Sequence, residues 1–535
     1  MLAPNDTLPS ANLQSVHNAI PLGARTGSPA RVLHLVQPNV NSQGSNKRHS
    51  MSMIGRAWMN SRVKADRLHH GQFIIGEQPI HFHPECDYFQ LSNGLWLSCH
   101  PQSLWQCASS KDRVHCVLFG KAIHLDSTSA TSDIERSTAA EISESYGNWC
   151  GRWALLIADA LHLDASGMLS IFYLRDQRGQ FWLSSSPALL AHYVLEERER
   201  TVPSMRGRGG IDWIPGPLTR FRPIRRLLPS QTINVRTGAV SSSQLTRKIH
   251  LSQDERVGLL RDTLVHACRN VAAQTTGRIW LPLTGGLDSR VLLAACSAAQ
   301  IEVTAYTQLY PFIDHGDVDL PPALAAIAGY KHLFIRPQNR DRSLLKLYDS
   351  QGAGHSCDQD REFFARRQWD FASDGDLVLR GTVFEIGRCY FWRYFPENDG
   401  VAAPPPDRIS AARHCSNLHC RSGMSEWHEW TQVAPEPDMD WRDRFYVEQR
   451  LASWMASIEQ TLDLTGTIRI PIANSRLFRD LVLGFDPLLR KHGIHQSQLI
   501  EQLYPSLLTL PVNPKSSLGV RIGNRLLRDW HGFWQ

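Results

Sequence analysis

Short apolar runs, several of them alternating with polar residues, follow one another between residues 70 and 240. Examples are "GQFIIGEQPI", "LWLSCH", "VHCVLFGKAIHL" and "QFWLSSS", and turn pairs such as Asn93-Gly94 and Arg178-Gly179 lie among them. Runs of this length between glycine-containing turns are typical of β-strands. Short strands at this spacing predict a sandwich or layered-sheet domain.

The hydrophobic period becomes helical near residue 253. The segment "DERVGLLRDTLVHACRNVAAQ" has apolar residues at helical spacing, namely Val257, Leu260, Leu264 and Ala267. Next come a predicted strand at 278–283, a glycine turn, a helix ending near residue 299, and then the strand "IEVTAYTQ", the helix "LPPALAAIAGY" and the strand "HLFIRP". This alternation predicts a doubly wound parallel sheet, which binds ligands at the carboxyl ends of its strands.

Two other segments have a distinct character. Residues 395–440 are Pro-rich and charged, which predicts an insertion or mobile loop, whereas 443–462 reads as an amphipathic helix. Residues 1–60 are expected to be a disordered tail or an over-called start that precedes Met51 or Met53, because the first fifty residues contain one acidic residue, Asp6.

Charge and cysteine usage narrow the function classes. The net charge of +6 is spread over 535 residues without a long Lys/Arg run, so nucleic acid is not the expected partner. The sequence contains no run of about 18 apolar residues, so it predicts no membrane-spanning helix. Eleven scattered cysteines suggest reduced thiols of a cytoplasmic protein. The group His414, Cys415, His419 and Cys420 has only a loosely zinc-like spacing, and a solvated loop is favoured there.

The stretch "LPLTGGLDSR" at 281–290 carries the most specific chemistry. Glycines between a strand and a helix leave backbone N–H groups in a concavity at a positively polarised helix end. Thr284 and Ser289 can donate to phosphate oxygens, and Asp288 fits if Mg²⁺ lies between carboxylate and phosphate. The pattern is neither a Walker A loop nor GxGxxG. The alternative is an ordinary βα turn capped by Asp288 or Ser289.

"LTGGLDSR" resembles the SGGxDS pyrophosphate loop of the ATP pyrophosphatase superfamily, with Thr284 in place of the first serine. More specifically, the chain resembles the asparagine synthetase family, including its relatives that form β-lactams and lasso-peptide macrolactams. The resemblance implies that Asp288 binds Mg²⁺ and that ATP is bound by Leu283, Thr284, Gly285, Gly286, Leu287, Asp288, Ser289 and Gly381.

Four later segments resemble the same family in order: "DVDLPPALAAIAGYKH", "LVLRGTVFEIGR", "TIRIPIANSRLFRDLV" and "LTLPVNPKSSLG". The family adenylates a carboxylate, and an amine then displaces AMP. The resemblance implies that Lys515 stabilises charge near the α-phosphate and that Glu385 binds Mg²⁺, orients the amine or deprotonates it. Glu385 and Ile386 replace the family's Asp and Glu, and Asn474 replaces an Asp. Glu448 is a second acid/base candidate, for which a helix-surface salt bridge is favoured.

Residues 70–240 resemble the glutaminase scaffold of that family in "SYGNWCGRWALLIAD" and "FYLRDQRGQFWLSSSPALL", where Arg175, Asp176 and Gly179 fit a later motif. The family's nucleophile is a cysteine directly after the initiator methionine, whereas position 2 is Leu2 here. Cys150 is internal and is expected in the core. The resemblance therefore implies a class II glutamine-amidotransferase-like fold without glutaminase activity.

Together these features predict an α/β protein in which a degenerate α+β amidotransferase-like domain, 70–240, precedes an ATP pyrophosphatase domain, 250–535. The expected activity is AMP-forming amide ligation with ATP and Mg²⁺ on a small molecule or peptide that carries a carboxylate and an amine. Macrolactam formation would add a precursor peptide and a protease as partners. The alternatives are an asparagine synthetase that uses ammonia or a partner glutaminase, and a catalytically silent nucleotide-binding scaffold.

Overall fold

The computed structural model describes most of the chain between residues 67 and 514. The described residues are 67–110, 113–125, 134, 141–142, 145–195, 213–311, 313–355, 359–396, 401–413 and 418–514. The predicted tail at 1–60 and the predicted catalytic Lys515 lie outside them.

The first part of the described chain forms two antiparallel sheets. Their strands are β1 Phe73–Gly76, β2 Asp87–Gln90, β3 Trp96–Cys99, β4 Trp105–Ser110, β5 Arg113–His124, β6 Trp149–Ile157, β7 Ala160–Leu163, β8 Phe172–Arg175, β9 Phe181–Ser184, β10 Arg225–Arg226, β11 Gln231–Asn234 and β12 Val240–Ser242. The two six-stranded sheets have the orders β10-β8-β9-β1-β3-β2 and β12-β11-β7-β6-β5-β4. Helix α1, Pro187–Tyr193, packs on the first sheet.

Apolar side chains from both sheets meet in a shared core. The rings of Phe73 on β1 and Phe119 on β5 stack with their centres 3.8 Å apart. Leu97, Leu156 and Leu183 pack around them and are buried. Alternation along each strand directs one set of side chains into this core, so the predicted layered-sheet architecture is confirmed.

The second part builds a parallel sheet. Its strands are β13 Ile279–Pro282, β14 Thr304–Gln308, β15 Lys331–Ile335, β16 Leu377–Arg380 and β17 Ile468–Pro471. All neighbours pair in parallel in the order β15-β14-β13-β16-β17, which confirms the predicted doubly wound sheet. The strand order reverses between β13 and β16, and such a switch point opens a crevice at the carboxyl ends.

Helices cover the parallel sheet and extend beyond it. They are α2 Gln253–Ala273, α3 Leu287–Ala299, α4 His315–Ile327, α5 Arg342–Gln351, α6 Gln359–Ala365, α7 Pro406–Ala412, α8 Leu418–Val433, α9 Trp441–Phe445, α10 Ala456–Thr461, α11 Arg476–Leu483, α12 Pro487–Lys491 and α13 Ile494–Leu503. A capping box at Ser252 and Glu255 starts α2, where Ser252 accepts the N–H of Glu255. None of the described helices is both long and apolar enough to cross a bilayer.

Two sequence predictions in this half need correction: the mobile-loop alternative for 395–440 is wrong, whereas the helix predicted at 443–462 is present but is buried on most of its surface. Within 395–440, the described residues include helices α7 and α8 rather than a mobile loop, because Ile409, Met424 and Trp427 are buried in the main core. The predicted amphipathic helix at 443–462 is α9, a π-helical stretch at Tyr446–Met455, and α10, and most of it is buried. In both segments, 395–440 and 443–462, packing against the rest of the protein buries more of the helices than their polar residues suggest.

Glu448 occupies this buried stretch and is not on a helix surface. Its side chain is fully buried and pairs with Arg444 at 3.0 Å. Trp427 Nε1 donates to the same carboxylate at 2.7 Å, and the Ser230 hydroxyl donates to its other oxygen. Since every partner comes from the protein interior, Glu448 stabilises the core and is not available to a substrate.

A buried polar junction joins the antiparallel sheets to the parallel sheet. Arg152 on β6 bonds to Asp463 and to the carbonyl oxygen of Glu459. The Glu459 carboxylate accepts from Arg380 at 2.7 Å and from Arg469 at 2.9 Å. Burial of these charges is tolerated because each one is paired, and loss of any partner would leave an uncompensated charge.

Asn474 belongs to this junction rather than to the carboxyl edge of the sheet. Its Nδ2 donates to the carbonyl oxygen of Gly151 at 2.7 Å and to Asp164 at 2.8 Å. Asp164 also accepts the backbone N–H groups of Trp153, Met168 and Leu169. An amide at position 474 therefore matches a buried carboxylate that needs a donor.

Candidate functional site

The glycine turn lies at the switch point of the parallel sheet. It leaves β13, passes through 283–286 and enters α3 at Leu287. The N-cap residue of α3 is Gly286, which has no side chain to cap the helix, and no side chain of the described residues caps it instead. The first-turn N–H groups of α3 thus have no side-chain partner in the described part of the chain, and they lie where a doubly wound sheet binds ligands.

Internal hydrogen bonds hold the turn in shape. The hydroxyls of Thr284 and Ser289 lie 3.0 Å apart, and Ser289 accepts the N–H of Thr284 at 3.1 Å. The N–H of Gly286 donates to Thr284 Oγ1 at 3.3 Å. Because Thr284 is exposed and Ser289 half-buried, the two hydroxyls are at the mouth of the turn and can exchange these bonds for phosphate oxygens.

The first glycine of the pair is required by close packing. A Cβ atom on Gly285 would lie 2.9 Å from the carbonyl oxygen of Gly316 at the start of α4. Asp317 on α4 accepts the N–H of Gly285 at 2.8 Å. The turn is thus held against the N-terminus of α4. Gly286 has room for a methyl group, since its nearest neighbours are 3.4 Å away.

Asp288 is the first-turn carboxylate of α3, and both of its oxygens accept from side chains. Arg388 Nη2 lies 2.6 Å from Oδ2, and Gln496 Nε2 donates to Oδ1 at 2.6 Å. Burial raises the pKa of Asp288 to about 6, against the opposing effects of Arg388 and Gln496. Gln496 is itself buried and comes from α13, 208 residues further along the chain.

Glu385 lies beside Asp288, in the 3-10 turn Phe384–Arg388, and residues 381–383 connect this turn to β16. Tyr446 donates its hydroxyl to Oε2 at 3.0 Å, and Arg450 Nε lies 3.6 Å from the same oxygen. Arg388 Nη2 lies 3.4 Å from Oε1. Burial raises the pKa of Tyr446 well above its usual value, with Glu385 adding to the effect, so this phenol acts as a donor. The predicted pair Asp288 and Glu385 is thus brought to one place.

The other predicted site residues take different positions. Leu283 has its side chain in the core, its N–H on the carbonyl of Tyr306, and its carbonyl on Thr307. It therefore positions the turn. Gly381 follows β16, and a Cβ atom there would lie 3.9 Å from Asp288. The side chain of Leu287 packs against Gly493.

Arg290 connects the turn to the segment that precedes Lys515. It is fully buried, and Nη1 donates to the carbonyls of Leu507 and Leu510 at 2.9 and 2.8 Å. Its Nη2 donates to Gly285 and to Pro511, at 3.3 and 2.8 Å. The chain then continues to Asn513, whose N–H donates to the carbonyl of Gly285 at 3.2 Å. The described chain ends with Pro514, which packs near Gly316.

Several of these residues escape prediction from sequence. Arg290 and Arg388 are the last residues of the segments 281–290 and 377–388, and only their place beside the candidate residues could have indicated a role in the site. Gln496 and Tyr446 come from distant helices and have none. A buried arginine or glutamine in a helix looks like any polar surface residue until the fold brings it to the turn.

A divalent metal ion is the implied companion of Asp288. Among the described residues, no group of three or more His, Cys, Asp or Glu side chains could hold a metal ion. Mg²⁺ commonly uses one or two carboxylates together with substrate phosphates, but both oxygens of Asp288 already accept from protein donors. With Arg388 in place, the residues do not fit a metal ion, and Mg²⁺ binding by Asp288 stays a prediction.

The candidates outside this site have structural explanations. Asp176 accepts the N–H groups of Arg178 and Gln180 and the Nε1 of Trp182, which shapes a hairpin. Cys150 is fully buried, as expected, and burial raises its pKa. Of the loosely zinc-like group, Cys420 is disulfide-bonded, His419 bonds to the carbonyl of Thr219, and His414 and Cys415 lie outside the described residues.

Comparison with known proteins finds weak likenesses, all of them to solved structures. No family model matches the chain, and no curated protein matches it. Among solved structures, NMN synthetase from Francisella tularensis is 12% identical with a TM-score of 0.20, over 34% of this chain and 96% of that chain. The NH3-dependent NAD synthetase from Campylobacter jejuni subsp. jejuni is 14% identical with a TM-score of 0.20, over 35% and 99%.

A third solved structure is the glutamine-dependent NAD+ synthetase from Acinetobacter baumannii in complex with ADP. It is 13% identical with a TM-score of 0.18, over 43% of this chain and 41% of that chain. At such TM-scores the three likenesses carry no argument about activity.

Proposed function

We propose that this protein is an ATP-dependent ligase that adenylates a carboxylate and joins it to an amine, in the manner of asparagine synthetase-like enzymes. The observation that carries the proposal is the uncapped N-terminus of α3, which follows a glycine pair at the switch point and has Thr284 and Ser289 at its mouth. Such an end favours a polyanion, and ATP is the polyanion that this reaction consumes.

The residues of the site would serve two functions, binding of ATP and handling of the amine. The turn and the helix end would hold the pyrophosphate portion of ATP while a carboxylate oxygen attacks the α-phosphorus and pyrophosphate leaves. An amine nitrogen would then attack the acyl carbon, AMP would leave, and the amine would lose a proton. Glu385, held by Tyr446 and Arg450, would orient that amine and accept its proton.

Lys515 is proposed to stabilise charge on the α-phosphate. Support comes from the residues before it, because Arg290 holds the carbonyls of Leu510 and Pro511, and Asn513 bonds to Gly285. A lysine is a compact point charge suited to a phosphate oxygen in a site with restricted solvent.

We further propose that the amine comes from the substrate itself and not from glutamine. Cys150, which lies in the segment that resembles the glutaminase scaffold, is buried in the core, so its own thiol is not accessible. A peptide that carries both a carboxylate and an amine, closed to a macrolactam, is the substrate class that this proposal favours. A precursor peptide and a protease would then be partners.

The products of ATP consumption test the proposal. Purified protein supplied with ATP, Mg²⁺ and candidate carboxylates should release AMP and pyrophosphate and should exchange labelled pyrophosphate into ATP. Asp288→Ala should lower exchange roughly a hundredfold, because it removes the first-turn carboxylate of α3 that holds Arg388 and Gln496 beside the turn. Asp262→Ala is the matched control, because Asp262 is 52% exposed and pairs only with its neighbour Arg261 among the described residues. Release of ADP instead of AMP would contradict the proposal.

A further inference from the structure

One guanidinium nitrogen serves both carboxylates of the site. Arg388 Nη2 lies 2.6 Å from Asp288 Oδ2 and 3.4 Å from Glu385 Oε1. Arg388 ends the 3-10 turn Phe384–Arg388, in which Glu385 also lies. Two carboxylates that contact the same guanidinium nitrogen are close enough to repel each other, and a cation between them favours the ionised form of both.

The remaining oxygens of the pair face other donors. Gln496 takes Oδ1 of Asp288, while Tyr446 and Arg450 take Oε2 of Glu385. Among the contacts of the described residues, Arg388 is the partner of the two remaining oxygens, Oδ2 of Asp288 and Oε1 of Glu385. A divalent ion that bridges the two carboxylates would need those same two oxygens.

We propose that Arg388 is the resident cation of the Asp288–Glu385 pair and that it competes with a divalent metal ion for this position. Metal ions can then bridge the two carboxylates only by displacing the guanidinium. The inference deepens the proposed function, since it concerns the same turn, but it needs no nucleotide or turnover to be tested.

The position suits a displaceable group. The side chain of Arg388 is 32% exposed, and its Nε is a buried donor without a partner in the described structure. Asp288 and Glu385 would stay in place when it moves, because Gln496, Tyr446 and Arg450 hold their other oxygens. Coulomb energy near a surface is still large enough for one positive charge to oppose a divalent ion a few ångströms away.

Binding of Mn²⁺ alone, followed by electron paramagnetic resonance and by calorimetry, tests the inference. We expect Arg388→Met to bind Mn²⁺ at least about tenfold more tightly than the wild type, since the competing cation is gone. Arg393→Met is the matched control, because Arg393 is an exposed arginine in the next turn that stacks on Tyr390 and Tyr394. It should bind Mn²⁺ as the wild type does.

Two further variants complete the test. The double variant Arg388→Met/Asp288→Asn should lose the gain, which assigns the ion to this pair. Arg388→Gln replaces Arg388→Met if circular dichroism shows that the methionine variant is unfolded. Equal Mn²⁺ affinity in the wild type and in the folded Arg388 variant would overturn the inference. If the Arg388 variant binds Mn²⁺ more tightly but the wild type shows no pyrophosphate exchange, the proposed function is contradicted and this inference stands.

Discussion

Arg290 donates to the carbonyl oxygen of Pro511 at 2.8 Å, and this bond joins the start of α3 to a segment more than two hundred residues later. The same guanidinium bonds to Leu507, Leu510 and Gly285. The glycine turn and the segment before Lys515 thus share one buried support. A change at position 290 should therefore affect stability and ligand binding together.

Arg290→Met should lower the free energy of unfolding by roughly 3 kcal/mol or more, because the carbonyls that it satisfies would be left buried without donors. Urea denaturation followed by fluorescence measures this value. Arg236→Met is the control, since Arg236 is exposed on the hairpin between β11 and β12. Similar losses in both variants would mean that the buried bonds of Arg290 contribute little.

Tyr446→Phe keeps the ring and removes only the hydroxyl that donates to Glu385. We expect ATP binding to stay within about twofold while AMP formation falls about tenfold, because the carboxylate that meets the amine loses one of its supports. Glu385→Gln should fall further, by two decades or more, on the scale of lost acid–base catalysis. The check is AMP release beside equilibrium ATP binding. Full activity in Glu385→Gln would remove Glu385 from the reaction.

Lys515→Ala should leave the ATP dissociation constant within about tenfold and lower AMP formation by about three decades, because its charge matters most in the transition state. Lys515→Arg should not restore the rate, since a planar fork cannot replace a point charge. Rapid-quench measurement of AMP, alongside ATP binding, compares the three proteins. Normal turnover in Lys515→Ala would show that the late-segment resemblance does not extend to this residue.

Acid should destabilise the fold through buried histidines. Burial, helped by His192 and His83, lowers the pKa of His69 from 6.5 to about 4. As the pH falls below 6.5, the unfolded chain binds the proton first, so stability is lost until about pH 4; one such histidine costs about 2 kcal/mol by pH 5. The backbone of His69 is left-handed, with φ 66°, which asparagine tolerates.

His69→Asn should therefore show a smaller loss of unfolding free energy between pH 7 and 5 than the wild type. His162 and His495 also have pKa values lowered to about 4, so part of the slope should remain. His250→Asn, at an exposed position, should keep the wild-type slope. Parallel pH profiles for His69→Asn and the wild type would contradict the assignment.

The strand-rich first half and the alternating second half could be predicted because hydrophobic period and glycine turns are local. Trp280 and Leu281, for example, face opposite sides of the parallel sheet. The segment at 395–440 could not be predicted, because its prolines and charges suggest a loop while Met424 and Trp427 are buried by distant partners. Tertiary packing overrides local composition there.

The site also combines features that depend on local sequence with features that depend on tertiary packing. The glycine turn and Asp288 could be predicted, since strand, turn and helix are adjacent in sequence. Gln496, which completes the environment of Asp288, could not, because only the position of α13 in the fold brings it there. For Glu448, the predicted salt bridge is present as the i,i+4 pair with Arg444, but this pair is fully buried and does not lie on a helix surface.

Equilibrium binding of ATP and of pyrophosphate to the Gly286→Ala variant tests the central claim most directly. The methyl group fits the folded turn, with its nearest neighbours at 3.4 Å, and occupies the space beside the N-terminus of α3. Gly258→Ala, on α2 with open space around it, is the control. For each ligand, we expect Gly258→Ala to bind with the affinity of the wild type. Gly286→Ala should bind each ligand at least about tenfold more weakly, since its methyl group takes space that a phosphate bound in the turn would occupy. Unchanged binding in Gly286→Ala, or no ATP binding by the wild type, would contradict the assignment of this turn.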